Sequence, residues 1–263
     1  MRVFFNRGAL GIMRTLFGLA LLSVALMAKA ADLPDTIAKI KPSIVGVGSY
    51  LPTRAPQGQL FGTGFVVDDG YHVITNAHVA QKKLKASAKE KLVVFVGTGK
   101  QGKMRDARIL AVDEAHDLAL LRISGPAMPA LSIGDSEVVR EGESYAFTGF
   151  PLGFILGLYP ATHRGIISSI TPIATPVSDS KQLTPDLIKR LKDSYRVFQL
   201  DATAYPGNSG SPLFNKDTGE VVGVINRVFV QGAKEAAIEH PSGITYAIPS
   251  LYVKRLLQQT KQH

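Results

Sequence analysis

The sequence predicts an all-β chain made of two similar-sized antiparallel units with a cleft between them. Three observations carry that prediction. Short runs rich in β-branched residues recur along the chain, the pattern of half-buried strands. Turn residues separate them at intervals typical of antiparallel barrels or sandwiches. Helical periodicity is confined to three short stretches. Residues 125–136, punctuated by Pro126, Pro129, Gly134 and Asp135, divide the runs into two sets.

Taken in order, the chain opens with a segment expected to stand outside the fold. Arg2, Arg7 and Arg14 give a basic start, Leu16 to Ala28 is an uncharged apolar run, and Ala28-Lys29-Ala30 fits an A-x-A cleavage signal. A signal peptide over residues 1–30 is predicted, cut between Ala30 and Ala31. The apolar run is shorter than the roughly 20 residues a spanning helix needs. No stable membrane span is therefore expected after signal removal. Lys29 is unusual in such a site, and an uncleaved anchor is the competing reading.

Residues 31–263 form the predicted globular domain. Asp35 to Lys41 reads as a short helix ended by Pro42. The first strand set, within about residues 36–125, comprises Ile44–Val47, Thr63–Val67, His72–Thr75, Leu92–Val96 and Leu118–Ile123. Asp68-Asp69-Gly70 between two of them is a hairpin signal. The second set, within about residues 137–249, comprises Ser144–Thr148, Thr162–Ser168, Val197–Leu200, Val221–Ile225 and Gly243–Ile248. Leu183 to Tyr195 reads as a helix, with Thr184 as N-cap and Pro185 just inside. A last helix is predicted over residues 250–260, with Leu251, Val253, Leu256 and Leu257 on one stripe and Ser250 as its cap.

The formal net charge is +9. Four basic residues (Arg2, Arg7, Arg14, Lys29) and no acidic ones lie in residues 1–30, so the remainder carries +5. Part of that excess sits in Lys82, Lys83, Lys85, Lys89 and Lys91. No aromatic residues interleave it, so a solvated face is expected and nucleic acid is not. There is no cysteine, which excludes disulfides, thiol catalysis and cysteine-held metals.

Three short motifs carry chemistry. Thr75-Asn76-Ala77-His78-Val79, His116-Asp117-Leu118-Ala119-Leu120-Leu121 and Gly207-Asn208-Ser209-Gly210-Ser211-Pro212 follow one another along the chain. Serine alone is a poor nucleophile; it needs an imidazole to take its proton and a carboxylate to fix that imidazole's tautomer. His78, Asp117 and Ser209 are the expected triad. Gly207, Asn208 and Ser209 form the expected oxyanion hole, with the Gly207 and Ser209 N–H groups donating. His116 is expected to point away from Asp117, because strand side chains alternate. His72, His163, His240 and His263 are likewise read as non-catalytic. No metal and no cofactor are expected.

The order and flanks of these motifs resemble the trypsin-like (chymotrypsin-fold) serine proteases, and within them the bacterial HtrA/DegP branch. Gly62-Thr63-Gly64-Phe65-Val66-Val67, Ile133-Gly134-Asp135-Ser136, Gly149-Phe150-Pro151-Leu152-Gly153, Gln199-Leu200-Asp201-Ala202 and Tyr246-Ala247-Ile248-Pro249 extend the resemblance over roughly residues 36–255. It implies two six-stranded antiparallel β-barrels with the active site between them and a C-terminal helix. It also implies a serine endopeptidase of exported or unfolded polypeptides, periplasmic or secreted, and it admits a homo-oligomer.

The departures matter as well. Ser211-Pro212-Leu213-Phe214 is closer to the glutamyl endopeptidases, no PDZ domain is expected, and the stretch from about Thr171 to Arg196 is longer than the branch implies. Asn208 stands where trypsin has an aspartate, so no zymogen switch beyond signal removal is expected. The resemblance places the specificity pocket at Thr203, Ala204, Tyr205, Ile225, Asn226 and Arg227. No acid lies at its base, which favours small or medium apolar residues at the cut; Arg227 with Thr203 leaves acidic ones as the second choice. A catalytically silent binding module or chaperone is the main alternative. An esterase is a weaker one, because the motif lacks the second glycine of a G-x-S-x-G elbow.

Overall fold

The computed structural model describes residues 32–99, 102–151, 157–172, 195–226 and 244–261. These residues fold as two closed six-stranded antiparallel barrels. The first comprises β1 (Ile44–Tyr50), β2 (Gly58–Val67), β3 (His72–Thr75), β4 (Lys91–Val96), β5 (Lys103–Asp113) and β6 (Leu118–Ile123). The second comprises β7 (Ser144–Gly149), β8 (Ala161–Pro172), β9 (Arg196–Leu200), β10 (Pro212–Asn215), β11 (Val221–Asn226) and β12 (Thr245–Pro249). Strand order is β1-β2-β3-β6-β5-β4 in one barrel and β10-β11-β12-β9-β8-β7 in the other. Closure leaves no open sheet edge in either.

Helices are short. α1 (Leu33–Ile40) starts earlier than expected because Pro34 suits a first turn, and a 3-10 turn over Lys41–Ser43 carries the chain through Pro42. α2 (Ala77–Ala80) is a single turn. α3 (Ser250–Lys261) matches the predicted last helix. Its cap differs from expectation. The Ser250 hydroxyl donates to the Gly134 carbonyl at 2.9 Å, and the Ser136 hydroxyl instead accepts the Leu251 N–H at 3.0 Å. The connector between the barrels thereby seats the start of α3. The helix predicted over Leu183 to Tyr195 lies outside the described residues, apart from Tyr195.

Alternation along the strands sorts their side chains into three apolar layers. Ala119, Leu121 and Ile123 of β6 join Val47, Val66, Val73 and Val94 inside the first barrel. Leu118 and Leu120 face the other way and meet Phe65, Ile74, Phe214, Val224 and Ile248 in the seam between the barrels. Phe147, Ile167, Phe198, Leu213, Ile225 and Ala247 fill the second barrel. A strand buried on both faces reads as a continuous apolar run, which is why Leu118–Ile123 was conspicuous in the sequence. α3 closes the seam with Val253 and Leu256. It packs on β5 and β6 of the first barrel as well as β11 and β12 of its own, and Lys261 reaches Asp68 at 2.9 Å.

Ten of the twelve strands follow the predicted runs. β5 was not anticipated: Lys103, Arg105, Asp106 and Arg108 break its apolar pattern, and most of the strand is exposed or half-buried. Pairing with β4 and β6 holds it in place. β10 is four residues long and begins with Pro212, a position where proline withholds no needed ladder donor.

Phe147 is fully buried and Val138 is 66 % exposed. Phe147→Ala is expected to lower stability by about 3–5 kcal/mol, and Val138→Ala to stay within about 0.5 kcal/mol of the parent. Urea unfolding followed by circular dichroism measures both.

Candidate active site

Strand topology brings the candidate residues together. β3 and β6 are antiparallel neighbours with Thr75 opposite Ala119. The exit of β3 and the entry of β6 therefore lie at one end of the first barrel. His78 follows that exit within α2, and Asp117 precedes that entry. β10 and β11 repeat the arrangement in the second barrel, with Pro212 opposite Val224. Ser209 lies just before β10, and Asn226 is the last residue of β11.

His78 Nδ1 lies 2.6 Å from Asp117 Oδ2, and the His78 backbone N–H donates to Oδ1 at 2.9 Å. A carboxylate only accepts, so the imidazole holds its proton on Nδ1 and leaves Nε2 as a base. Asn226 Nδ2 donates to the same Oδ2 at 2.8 Å, across the seam. Asp117 has φ +49, a left-handed backbone that costs a non-glycine residue about 1–3 kcal/mol. Its carbonyl is held by the Ala77 N–H and by Asn76 Nδ2, both at 3.1 Å. The sequence reading named only the imidazole as a partner of the aspartate. Asn226 had been assigned to the specificity pocket; its buried amide instead engages the carboxylate.

The serine loop is two consecutive four-residue turns. The Asn208 N–H donates to the Tyr205 carbonyl and the Ser211 N–H to the Asn208 carbonyl, each at 3.0 Å. Each turn has glycine in third place, Gly207 at φ +101 and Gly210 at φ +88, the positive value a type II turn requires. The Gly210 N–H is taken by the Ile225 carbonyl at 2.9 Å. Among the described residues, the Gly207 and Ser209 N–H groups donate to no protein acceptor. Alternate donors are thus left for an oxyanion. Asn208 differs from expectation: its N–H is bonded within the first turn, and its side chain is buried.

One threonine ties this loop to the first barrel. The Thr63 N–H donates to the Ser209 carbonyl at 2.8 Å. Its hydroxyl donates to the Gly207 carbonyl at 2.7 Å and accepts the Phe150 N–H at 3.0 Å. Its own carbonyl accepts the Thr75 hydroxyl at 2.7 Å. Thr63 lay within a motif of the family resemblance but carried no role in the sequence reading. The one available signal was a hydroxyl between Gly62 and Gly64 in a strand with no other polar residue up to Val67.

The remaining pocket candidates separate. Tyr205 is exposed and Ala204 packs beside the second barrel's core. Ile225 is fully buried within that core, Thr203 is half-buried, and Arg227 lies outside the described residues. His163, read as non-catalytic, stacks on Phe147 with ring centroids 4.9 Å apart and stands 6.1 Å from the Tyr205 ring. Burial pushes its imidazole pKa down. No metal was expected. Asp68, Asp69 and His72 do bring ligand atoms within 4.8 Å of one another; Lys261 already pairs with Asp68, and His72 Nδ1 sits 2.7 Å from Asp69.

Thr63→Val removes the hydroxyl and leaves the Gly207 carbonyl and Phe150 N–H without it. A stability loss of about 1–3 kcal/mol is expected, together with slower phosphonylation of Ser209, read by melting temperature and labelling rate. A Cβ on Gly210 would overlap the Thr63 carbonyl oxygen, and φ +88 disfavours any side chain. Gly210→Ala is expected to be at least as destabilising by melting temperature and to abolish labelling.

Comparison with known proteins agrees with the two-barrel fold. The profile of the trypsin-like peptidase domain family matches residues 62–224. A probable periplasmic serine endoprotease DegP-like from Halomonas elongata is 31 % identical over 189 residues, covering 72 % of this chain and 32 % of its own length. The protein of the same description from Chlamydia muridarum is 32 % identical over 216 residues, covering 81 % and 37 %. Serine protease HTRA1A from Danio rerio is 31 % identical over 231 residues, covering 86 % and 40 %. The chain therefore spans about a third of the length of these relatives. The two-barrel fold and this sequence match together assign the chain to the trypsin-like peptidase family, with its similarity on the HtrA/DegP side.

Proposed function

We propose that the protein is a serine endopeptidase that hydrolyses polypeptides through an acyl-enzyme intermediate, with His78, Asp117 and Ser209 as its triad. The observation that carries this reading is the pair of unused N–H groups of Gly207 and Ser209, in a loop fastened beside the His78–Asp117 pair. Ser209 Oγ attacks the scissile carbonyl while His78 Nε2 takes its proton. Asp117 holds the imidazole through Nδ1 and stabilises the charge it gains. The developing oxyanion accepts from the Gly207 and Ser209 N–H groups, donors worth roughly 3–4 kcal/mol each in related sites. His78 then returns the proton to the leaving amine, and water repeats the sequence to release the acyl group.

Asn226 belongs to this machinery in the proposal. Its amide occupies the second lone-pair direction of Oδ2, so the carboxylate is fixed from both barrels. The relatives named as periplasmic support an exported location, and the basic, apolar N-terminal run of the sequence agrees with that. Exported or unfolded polypeptides are the proposed substrates.

The test uses the purified protein and its Ser209→Ala variant, each incubated with a serine-directed phosphonate probe and with unfolded casein. The expected result is labelling and cleavage by the parent, both absent from the variant, with fragment masses giving the preference at the cut. A folded parent that takes no label and leaves casein intact overturns the proposal.

A further inference from the structure

We propose that His116 is a positioning residue for Asp117, acting through a clasp of aromatic rings that it forms with Tyr195 and Tyr252. The inference rests on the triad reading above and extends it to residues outside the triad.

Asp117 sits at the end of the short turn that joins β5 to β6, in a backbone conformation it does not favour. Within that turn its N–H reaches the Glu114 carbonyl at 3.4 Å, a long bond. The preceding residue is far better held. His116 Nδ1 lies 2.7 Å from Asp113 Oδ2, and the His116 N–H donates to Asp113 Oδ1 at 3.1 Å. Its ring stacks on Tyr252 with centroids 3.8 Å apart and planes inclined by 21°. Tyr195 meets the same ring edge-on at 4.6 Å, and the two tyrosines touch each other at 5.1 Å. The Arg255 guanidinium lies over Tyr252 at 5.4 Å.

Three distant parts of the chain thus converge on one imidazole: the β5–β6 turn, the residue leading into β9, and α3. Such ring pairs have strong orientational preferences. Pinning residue 116 on one side of the peptide and the Asp117 carbonyl on the other leaves the aspartate little freedom in φ. Tyr195 is close enough to matter electrically, since burial first and the Asp117 charge second push its phenol pKa well above the ordinary value. The hydrogen bonds of the two side chains are separate: His116 bonds to Asp113, whereas the Asp117 carboxylate bonds to His78 and Asn226. That separation lets it work as an anchor without entering the hydrogen bonds of the triad.

The test compares the full chain with His116→Ala, His116→Phe and Tyr252→Leu. Readouts are melting temperature, kcat and KM on a peptide substrate, and the NMR signal of the His78 Nδ1 proton, which persists only while Asp117 shelters it. His116→Ala is expected to lower kcat by about ten- to a hundredfold with KM within about threefold, and to lose the proton signal. His116→Phe keeps a ring between the tyrosines and is expected to return both to near the parent. Tyr252→Leu opens the clasp from the helix side and is expected to behave like His116→Ala; it also serves if that variant fails to fold. Folded alanine and leucine variants with the parent's kcat and proton signal overturn the proposal. A phenylalanine variant as impaired as the alanine one does so too. If the parent turns over no peptide, the hydrolase reading fails, and the proton signal alone still decides the clasp.

Discussion

Everything at the seam depends on the hydrogen bonds of Thr63. It is one buried residue on β2, yet all its polar groups are engaged across or along the boundary between barrels. A buried donor or acceptor left without a partner costs about 1–3 kcal/mol. The first barrel therefore presents a fixed pattern that the serine loop must match. The match is available only when the loop takes the two turns that place Gly207 and Ser209 as they are. Asn226 makes the reciprocal link, from the second barrel to a carboxylate of the first. The seam is apolar in bulk and polar at these two points. Apolar packing supplies the attraction between the barrels, and the hydrogen bonds fix their register.

The same logic explains the arrangement of the strands. A barrel wall normally shows water one face, and its sequence alternates. Here β6 and β11 are buried on both faces, one toward a barrel interior and one toward the seam. Strands with two buried faces cannot shift register without exposing or clashing large side chains. His78, Asp117, Ser209 and Asn226 all hang from the ends of strands in this doubly buried group or next to it. Their backbone positions inherit the rigidity of the most constrained part of the molecule.

How far this was readable from the sequence depends on the kind of interaction. Runs such as Leu118–Ile123 announce burial because apolar side chains act individually and additively. The candidate triad was legible only from three motifs taken together, since a Gly-Asn-Ser turn alone is common in hairpins. The long strand β5 escaped notice because its exposed wall carries Lys103, Arg105 and Arg108, and only barrel closure makes it a strand. Thr63 and Asn226 escaped for a different reason. The partners that give them their roles, Gly207 and Ser209 for Thr63 and Asp117 for Asn226, are more than 100 residues away in the chain, and a side-chain hydrogen bond leaves no periodic trace. Ser136 capping α3 belongs to the same class, which is why Ser250, adjacent in sequence, was the expected cap.

The reach of α3 also bears on how the molecule comes to be folded. Residues 44–123 contain all six strands of the first barrel, and these pair entirely among themselves. Yet the outer face of that barrel is finished by Val253 and Leu256, and the β2–β3 turn is gripped by Lys261. Chains emerge from their N-terminal end, and domains tend to fold as their residues appear. The first barrel can close early, but its seam face stays incomplete until the second barrel and residues 250–261 have followed. Assembly of the cleft consequently follows closure of the first barrel and waits on residues 250–261. An emerging chain therefore lacks a finished cleft until both barrels and α3 are present.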